Sequence, residues 1–199
     1  MNNSNLKIGL TGGIGCGKST VLDILKSSGY TTVDTDAICH DIYDTNKNFI
    51  ETVTSRWGSK IIGKNSRIIR KEIAKIVFRD KNELKWLNNL IHPLIFNVVE
   101  KRTTTVSPKF NIIIYDVPLL FEIKWQNLFS SIISVWAPLH IQVERLKKRN
   151  WDKEEITSRI SSQYSADFKL GKADFGIINS GSTNLLKKQC KNILSKIMR

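Results

Sequence analysis

Along the 199 residues the apolar positions fall into two kinds of run, and their alternation sets the expected architecture. Short, nearly unbroken apolar stretches occur at residues 6–11, 110–115, 131–136 and 175–178, the pattern of strands buried on both faces. A briefer β-branched segment at 31–33 reads as a further strand. Between these, apolar residues recur at helical spacing over 18–28, with Gly29 placed to cap its end, then over 37–43, a basic stretch at 139–149, charged turns at 152–164 and an amphipathic run at 185–197. Strands alternating with helices imply parallel pairing through right-handed crossovers, with helices on both faces of the sheet and a ligand crevice at the C-terminal strand ends.

Residues 47–105 interrupt this alternation. Helical patterns at 49–57, 69–78, 82–91 and 94–102 follow one another without a strand, as in a helical insertion that closes over a site. Gly58 and residues 63–66 are turn material, and Pro93 disfavours helical geometry at His92, which predicts two separate helices there.

At 41% hydrophobic content, a chain of 199 residues builds one substantial core and is short for two domains of ordinary size, so a single domain over 1–199 carrying an insertion is expected. Cys16, Cys39 and Cys190 are odd in number and form no C-x-x-C pair, which argues against a disulfide framework or a zinc cluster and suits a reducing cytoplasm. No leader-like N-terminal segment and no apolar run of about 18 residues is present, so a soluble protein without membrane partners is expected. The net charge of +13 suits nucleic acid or anionic small molecules equally. The basic residues are scattered and no RNP motif, zinc finger or basic heptad region accompanies them, so nucleic acid is not expected as the main partner.

The stretch around which the chain is organised is Gly12-Gly13-Ile14-Gly15-Cys16-Gly17-Lys18-Ser19, which fits G-x-x-x-x-G-K-[ST] between a predicted strand and a predicted helix. In such a P-loop, glycines let successive backbone amides converge on a polyphosphate at a helix N-terminus. Lys18 then supplies a point charge toward the β and γ phosphates, and the Ser19 hydroxyl ligates a Mg2+ ion bridging them. The fold class read from the sequence is therefore α/β: a P-loop NTPase-like parallel sheet with helices on both faces.

Other residues leave alternatives open. Asp36, after the second strand, can accept the proton of an acceptor hydroxyl, or it can cap the following helix, a position for which Asp is among the best residues. Asp116 ends an apolar strand as a metal-holding carboxylate would, or caps the turn before Pro118. Arg145 and Arg149 share a helix face and can close on ATP phosphates from a mobile lid, or form a solvated face with Lys147 and Lys148. His92 reads equally as a polar helix end beside proline.

Taken in order, the run Leu10 to Thr20, Asp34-Thr35-Asp36, Arg70, Trp86-Leu87-Asn88 to His92-Pro93, Pro118-Leu119-Leu120-Phe121-Glu122, Arg145-Leu146 to Arg149, Gln163, Ala173-Asp174 and Asn179 resembles the dephospho-CoA kinase family over nearly the whole chain. The resemblance implies transfer of the ATP γ-phosphate to the ribose 3′-hydroxyl of dephospho-CoA, the last step of coenzyme A synthesis. It also implies a core, a helical substrate-binding insertion at 47–105 and a lid over 145–172. It makes Asp36 the base and Arg149 the lid arginine, assigns Arg70, His92 and Pro118, Leu119 and Leu120 to dephospho-CoA, and sets Asn179 near the adenine, with Gly12, Gly13, Gly15, Cys16, Gly17, Lys18, Ser19, Thr20 and Arg145 on the remainder of ATP. Two positions depart from the family's habit: Cys16 replaces a common serine, which suggests sensitivity to thiol reagents, and Asn65-Ser66 replaces an Asp-Gly turn before Arg70.

Overall fold

Five strands build one sheet in the order β2-β3-β1-β4-β5, where β1 is Leu6–Gly12, β2 Thr31–Asp34, β3 Ile112–Asp116, β4 Ser131–Trp136 and β5 Phe175–Ile178. The computed structural model describes residues 5–65, 67–77, 79–105 and 110–198. β1 runs parallel to β3 on one side and to β4 on the other, and β5 continues parallel to β4. The chain thus moves from β1 toward one edge and later crosses to its opposite side. The reversal opens a crevice beyond the C-terminal end of β1, the place where such sheets take ligands.

The strands form where the sequence offers apolar side chains to both faces. Ile8 and Leu10 of β1 and Ile112 to Tyr115 of β3 are fully buried, so burial here follows continuous runs rather than alternation. Helices α1 (Lys18–Ser27), α6 (Leu139–Lys147), α7 (Lys153–Ser161), α8 (Ala166–Lys172) and α9 (Thr183–Ile197) accompany the sheet. Val21 and Leu25 of α1 and Leu186 and Leu194 of α9 join Ile8, Leu10, Ile114 and Val135 in one buried cluster. The helical pattern expected over 152–164 ends earlier: α7 stops at Ser161, and Ser165 starts a separate α8 by accepting the Phe168 amide at 3.1 Å. α8 packs on β4 and β1.

The chain divides into two compact units, Met1–Val33 with Val106–Arg199, which carries most of the sheet, and Asp34–Thr105, which carries α2 (Thr35–Thr45), α3 (Lys47–Trp57), α4 (Arg70–Val77) and α5 (Lys81–Thr105). The second unit begins at Asp34, so α2 belongs to it along with the helices after residue 47. The expectation of two helices separated at Pro93 is overturned, because α5 runs through Pro93 without a break. Its buried residues Leu87, Ile91, Ile95 and Val99 recur every fourth position, and α5 packs against α2 and α4. That stripe outweighs the local cost of one proline, which removes one backbone hydrogen bond and crowds one carbonyl. Ser66, one half of the Asn65-Ser66 turn, and Phe78, the expected end of α4, lie outside the described residues. No helix among the described residues is long and apolar enough to cross a membrane.

Candidate active site

The loop from Gly12 to Ser19 sits at the crevice end of β1. Gly17 forms the N-cap of α1 in the left-handed region, at φ 85° and ψ 34°, and contributes no side-chain cap, so the first amides of the helix remain available to an anion. A Cβ at this position would also lie 2.1 Å from Asn179 Nδ2. Both the dihedral and the space therefore demand glycine.

The loop's carbonyls are pinned from one side. Arg145 donates to Gly15 O at 3.3 Å, to Cys16 O at 3.2 Å and to Asn179 O at 2.9 Å, while Asn179 Nδ2 donates to Cys16 O at 2.8 Å. In a trans peptide the N–H points opposite its carbonyl, so fixing Cys16 O turns the Gly17 amide away from Arg145. Arg145 is thus a fixed brace of the P-loop, whereas Arg149, four residues on, is exposed. Both arginines line a cavity of about 440 Å³ together with Gly15, Gly17, Ser19, Thr20 and Asn179. A larger groove of about 600 Å³ runs between α1 and α9 over Leu25, Tyr30 and Leu194. None of Gly12 to Ser19 lines this groove, whereas Gly15, Gly17 and Ser19 line the smaller cavity.

Lys18 Nζ forms an ion pair with Asp116 Oδ1, both side chains being largely buried. The carboxylate that ends β3 therefore holds the P-loop lysine. An exposed Ser19 hydroxyl one residue away, and a carboxylate on the adjacent strand, form an all-oxygen donor set that suits Mg2+ carried in on phosphates. Among the described residues no cluster of three or more His, Cys, Asp or Glu could cage a metal by itself.

Cys16 is fully buried, and burial pushes its thiol above the ordinary range, so the side chain is a protonated core group. The expected sensitivity of this thiol to reagents is accordingly corrected. After β3, Pro118 offers its carbonyl to the Thr11 hydroxyl at 3.1 Å, Leu119 is 44% exposed and Leu120 is fully buried. Leu119 thus stands open to solvent, whereas Leu120, expected as a substrate contact, is enclosed in the core.

In the second unit, Asp34 rather than Asp36 caps α2, accepting the Ala37 amide at 3.0 Å. The capping explanation for Asp36 is thereby removed, and its carboxylate stands exposed in the first turn. Asp36, Cys39, His40 and Tyr43 recur at helical spacing along one face of α2. Burial, aided by the Asp36 charge, lifts the Cys39 thiol to about 11, and burial likewise raises the Tyr43 phenol. Arg70, first residue of α4, donates to the Asp44 carboxylate at 2.7 Å and to His40 O at 3.3 Å, with its guanidinium 5.8 Å from the Tyr43 ring centre. His92 lies half-buried within α5, and burial depresses its imidazole, favouring the neutral ring. Sequence reasoning gave no role to Lys169 or to the Thr11 hydroxyl. The one available signal was the three-residue spacing that sets Lys169 on the same helix face as buried Ala166.

Comparison with known proteins agrees with this geometry. The family model described as dephospho-CoA kinase matches residues 6–184. A dephospho-CoA kinase of Helicobacter pylori is 37% identical over 194 residues, covering 96% of this chain and 97% of the relative. The solved dephospho-CoA kinase from Campylobacter jejuni superposes with a TM-score of 0.70 at 31% identity, covering 96% of each chain. A shikimate kinase from Bacteroides thetaiotaomicron, at 12% identity and a TM-score of 0.53 over 98% of this chain and 99% of its own, shares the fold.

Proposed function

The chain belongs to the dephospho-CoA kinase family, and from that premise we propose that it transfers the γ-phosphoryl group of ATP to the ribose 3′-hydroxyl of dephospho-CoA, giving coenzyme A and ADP. The observation that carries the phosphoryl-transfer half is the phosphate cradle: a left-handed glycine at the N-terminus of α1 with Lys18 beside it and the loop's carbonyls braced by Arg145. The identity of the acceptor rests on the family.

The loop amides of Gly13 to Thr20 and the Lys18 ammonium hold the phosphates of ATP, while Arg145, Arg149 and Asn179 border the cavity taken by the nucleoside. Asp36 accepts the proton of the 3′-hydroxyl as O3′ attacks Pγ and the bond from Pγ to the bridging oxygen breaks, leaving ADP. Ser19 and the Asp116 carboxylate would hold Mg2+, which would supply positive charge to offset that of the transferring phosphates. Lys18, paired with Asp116 here, would exchange that carboxylate for the γ-phosphate. Arg70, neutral His92, Pro118 and Leu119 contact dephospho-CoA. The lid lies within 145–172, and α7 with the turn before it is its moving part, Arg145 being bonded to the P-loop and α8 packed on the sheet. Its closure with Arg149 excludes water and protects ATP from hydrolysis. The three free thiols suit the reducing cytoplasm.

The test is ATP consumption by the purified protein with Mg2+, with and without dephospho-CoA, together with the mass of the product. Coenzyme A formed only when both substrates are present is the expected result. ATP turnover on a sugar acid or a nucleoside monophosphate, with no coenzyme A, overturns the acceptor while leaving the phosphate cradle in place.

A further inference from the structure

Lys169 is a cation in an unexpected place. Its side chain is 0% exposed, on a helix that packs against the central strands. All three of its donors are spent inside the protein: Nζ reaches Pro118 O at 2.7 Å, Gln163 Oε1 at 3.1 Å and Glu122 Oε1 at 2.9 Å. No donor is left for a ligand.

The partners make it a hub. Pro118 O also accepts from Thr11, the residue before the P-loop's first glycine, so one carbonyl joins β1 to α8. Glu122 Oε1 also accepts the Tyr164 amide at 2.9 Å, which ties the turn between α7 and α8 to the same knot. Leu120, between the two anchored residues, fills the space over Gly9, where a Cβ would meet Leu120 Cδ1 at 2.6 Å. The segment from Pro118 to Glu122 is therefore held at both ends and pressed down in the middle, and Leu119 alone among Pro118, Leu119 and Leu120 is strongly exposed.

Stability alone is a poor reason for this arrangement. Burial disfavours the charged amine and lowers its affinity for a proton, with Glu122 opposing the effect. Glu122 Oε2 is buried without a hydrogen-bond partner among the described residues. An apolar side chain of similar length would fill the space without either desolvation cost, and α8 is already anchored by its Ser165 cap and by buried Ala166. What an apolar side chain could not do is fix a main-chain carbonyl.

We propose that Lys169 is a positioning residue for phosphoryl transfer: through the Pro118 carbonyl it sets the backbone after β3 and thereby presents Leu119 to the acceptor. The inference rests on the reading of Pro118 and Leu119 as acceptor contacts.

Steady-state kinetics and melting temperatures of Lys169→Met, Glu122→Gln/Lys169→Met and Leu119→Ala test it. Lys169→Met raises the KM for dephospho-CoA about tenfold, as loss of one charge-assisted hydrogen bond does, leaves the KM for ATP within about twofold, and lowers Tm because Glu122 is left as an unpaired buried charge. The double variant removes that charge, so it recovers most of the Tm while the acceptor KM stays raised. An acceptor KM that returns with the Tm, or that never moves, overturns the positioning role. If Lys169→Met does not fold, the double variant carries the same test. Leu119→Ala separates the two layers: a raised acceptor KM there without one in the Lys169 variants strikes only the hub, whereas an unchanged KM in Leu119→Ala strikes the acceptor reading of the segment.

Discussion

The two units hold their candidate site residues by different means. In the sheet unit the phosphate cradle is main chain, and the side chains around it brace that main chain: Arg145 and Asn179 grip loop carbonyls, and Lys18 is gripped by Asp116. In the helical unit the candidates are side chains, on exposed or half-buried faces of α2, α4 and α5. A backbone site is indifferent to residue type where only amides are used, which is why Cys16 can stand where the family commonly has serine. A side-chain site has no such tolerance. Loss of one atom's chemistry should therefore weigh most in the helical unit, and loss of one backbone conformation most in the sheet unit.

Asp36→Asn gives the largest expected effect, because it removes the proposed proton acceptor while keeping shape and exposure. Turnover should fall by about 10²–10⁴, the usual worth of a positioned general base, with the KM for ATP unchanged. Near-normal turnover would take Asp36 out of the mechanism, and a raised KM for ATP with normal turnover would break the contrast between the units.

Gly17→Ala examines the other half. The left-handed conformation at φ 85° costs an alanine about 1–2 kcal/mol, and the new Cβ would press on Asn179 Nδ2, displacing the amide that steadies Cys16 O. The KM for ATP should rise by tenfold or more, on the order of 1.4 kcal/mol, while tryptophan emission from Trp57 and Trp86 in the helical unit stays native. Unchanged ATP kinetics would mean that the loop's conformation is not what binds phosphate.

These two residues also show what a sequence can disclose. The P-loop and the strands were legible because each depends on a contiguous stretch: the largely apolar six residues at 131–136 became β4 with the same ends. Asp36 was ambiguous because Asp34 and Asp36 are the same residue type two positions apart, and only the geometry of the Ala37 amide shows which one caps. The break expected at Pro93 was a local rule defeated by packing along Leu87, Ile91, Ile95 and Val99. Lys169 stayed hidden for the opposite reason. Its partners Pro118, Glu122 and Gln163 come together only through the fold, and a lysine on a short charged helix reads as solvated surface.

The smallest effect separates the units by what holds them rather than by what they do. The helical unit relies on a polar knot at Glu83, whose carboxylate accepts from Arg56 through two bonds of 2.7 Å and from Trp57 Nε1 at 2.7 Å, while Arg56 lies 4.4 Å from the Trp86 ring centre. These donors hold Glu83 down at about 2, against an ordinary value of 4.5. Because the folded state binds the proton less readily than the unfolded chain, the stabilisation is fully present above pH 4.5 and drains away as pH falls toward 2. Glu83→Gln, which keeps the shape and lacks the charge, should therefore lower Tm near neutral pH and converge with the parent protein near pH 2. Added salt should shrink the difference, since the pair is solvent-accessible. The change should register in the emission of Trp57 and Trp86, whose rings meet edge-on at 5.2 Å. Parallel melting curves for the two proteins across pH 2–5 would mean that the Trp57 and Trp86 packing, and not the ion pair, holds α3 to α5.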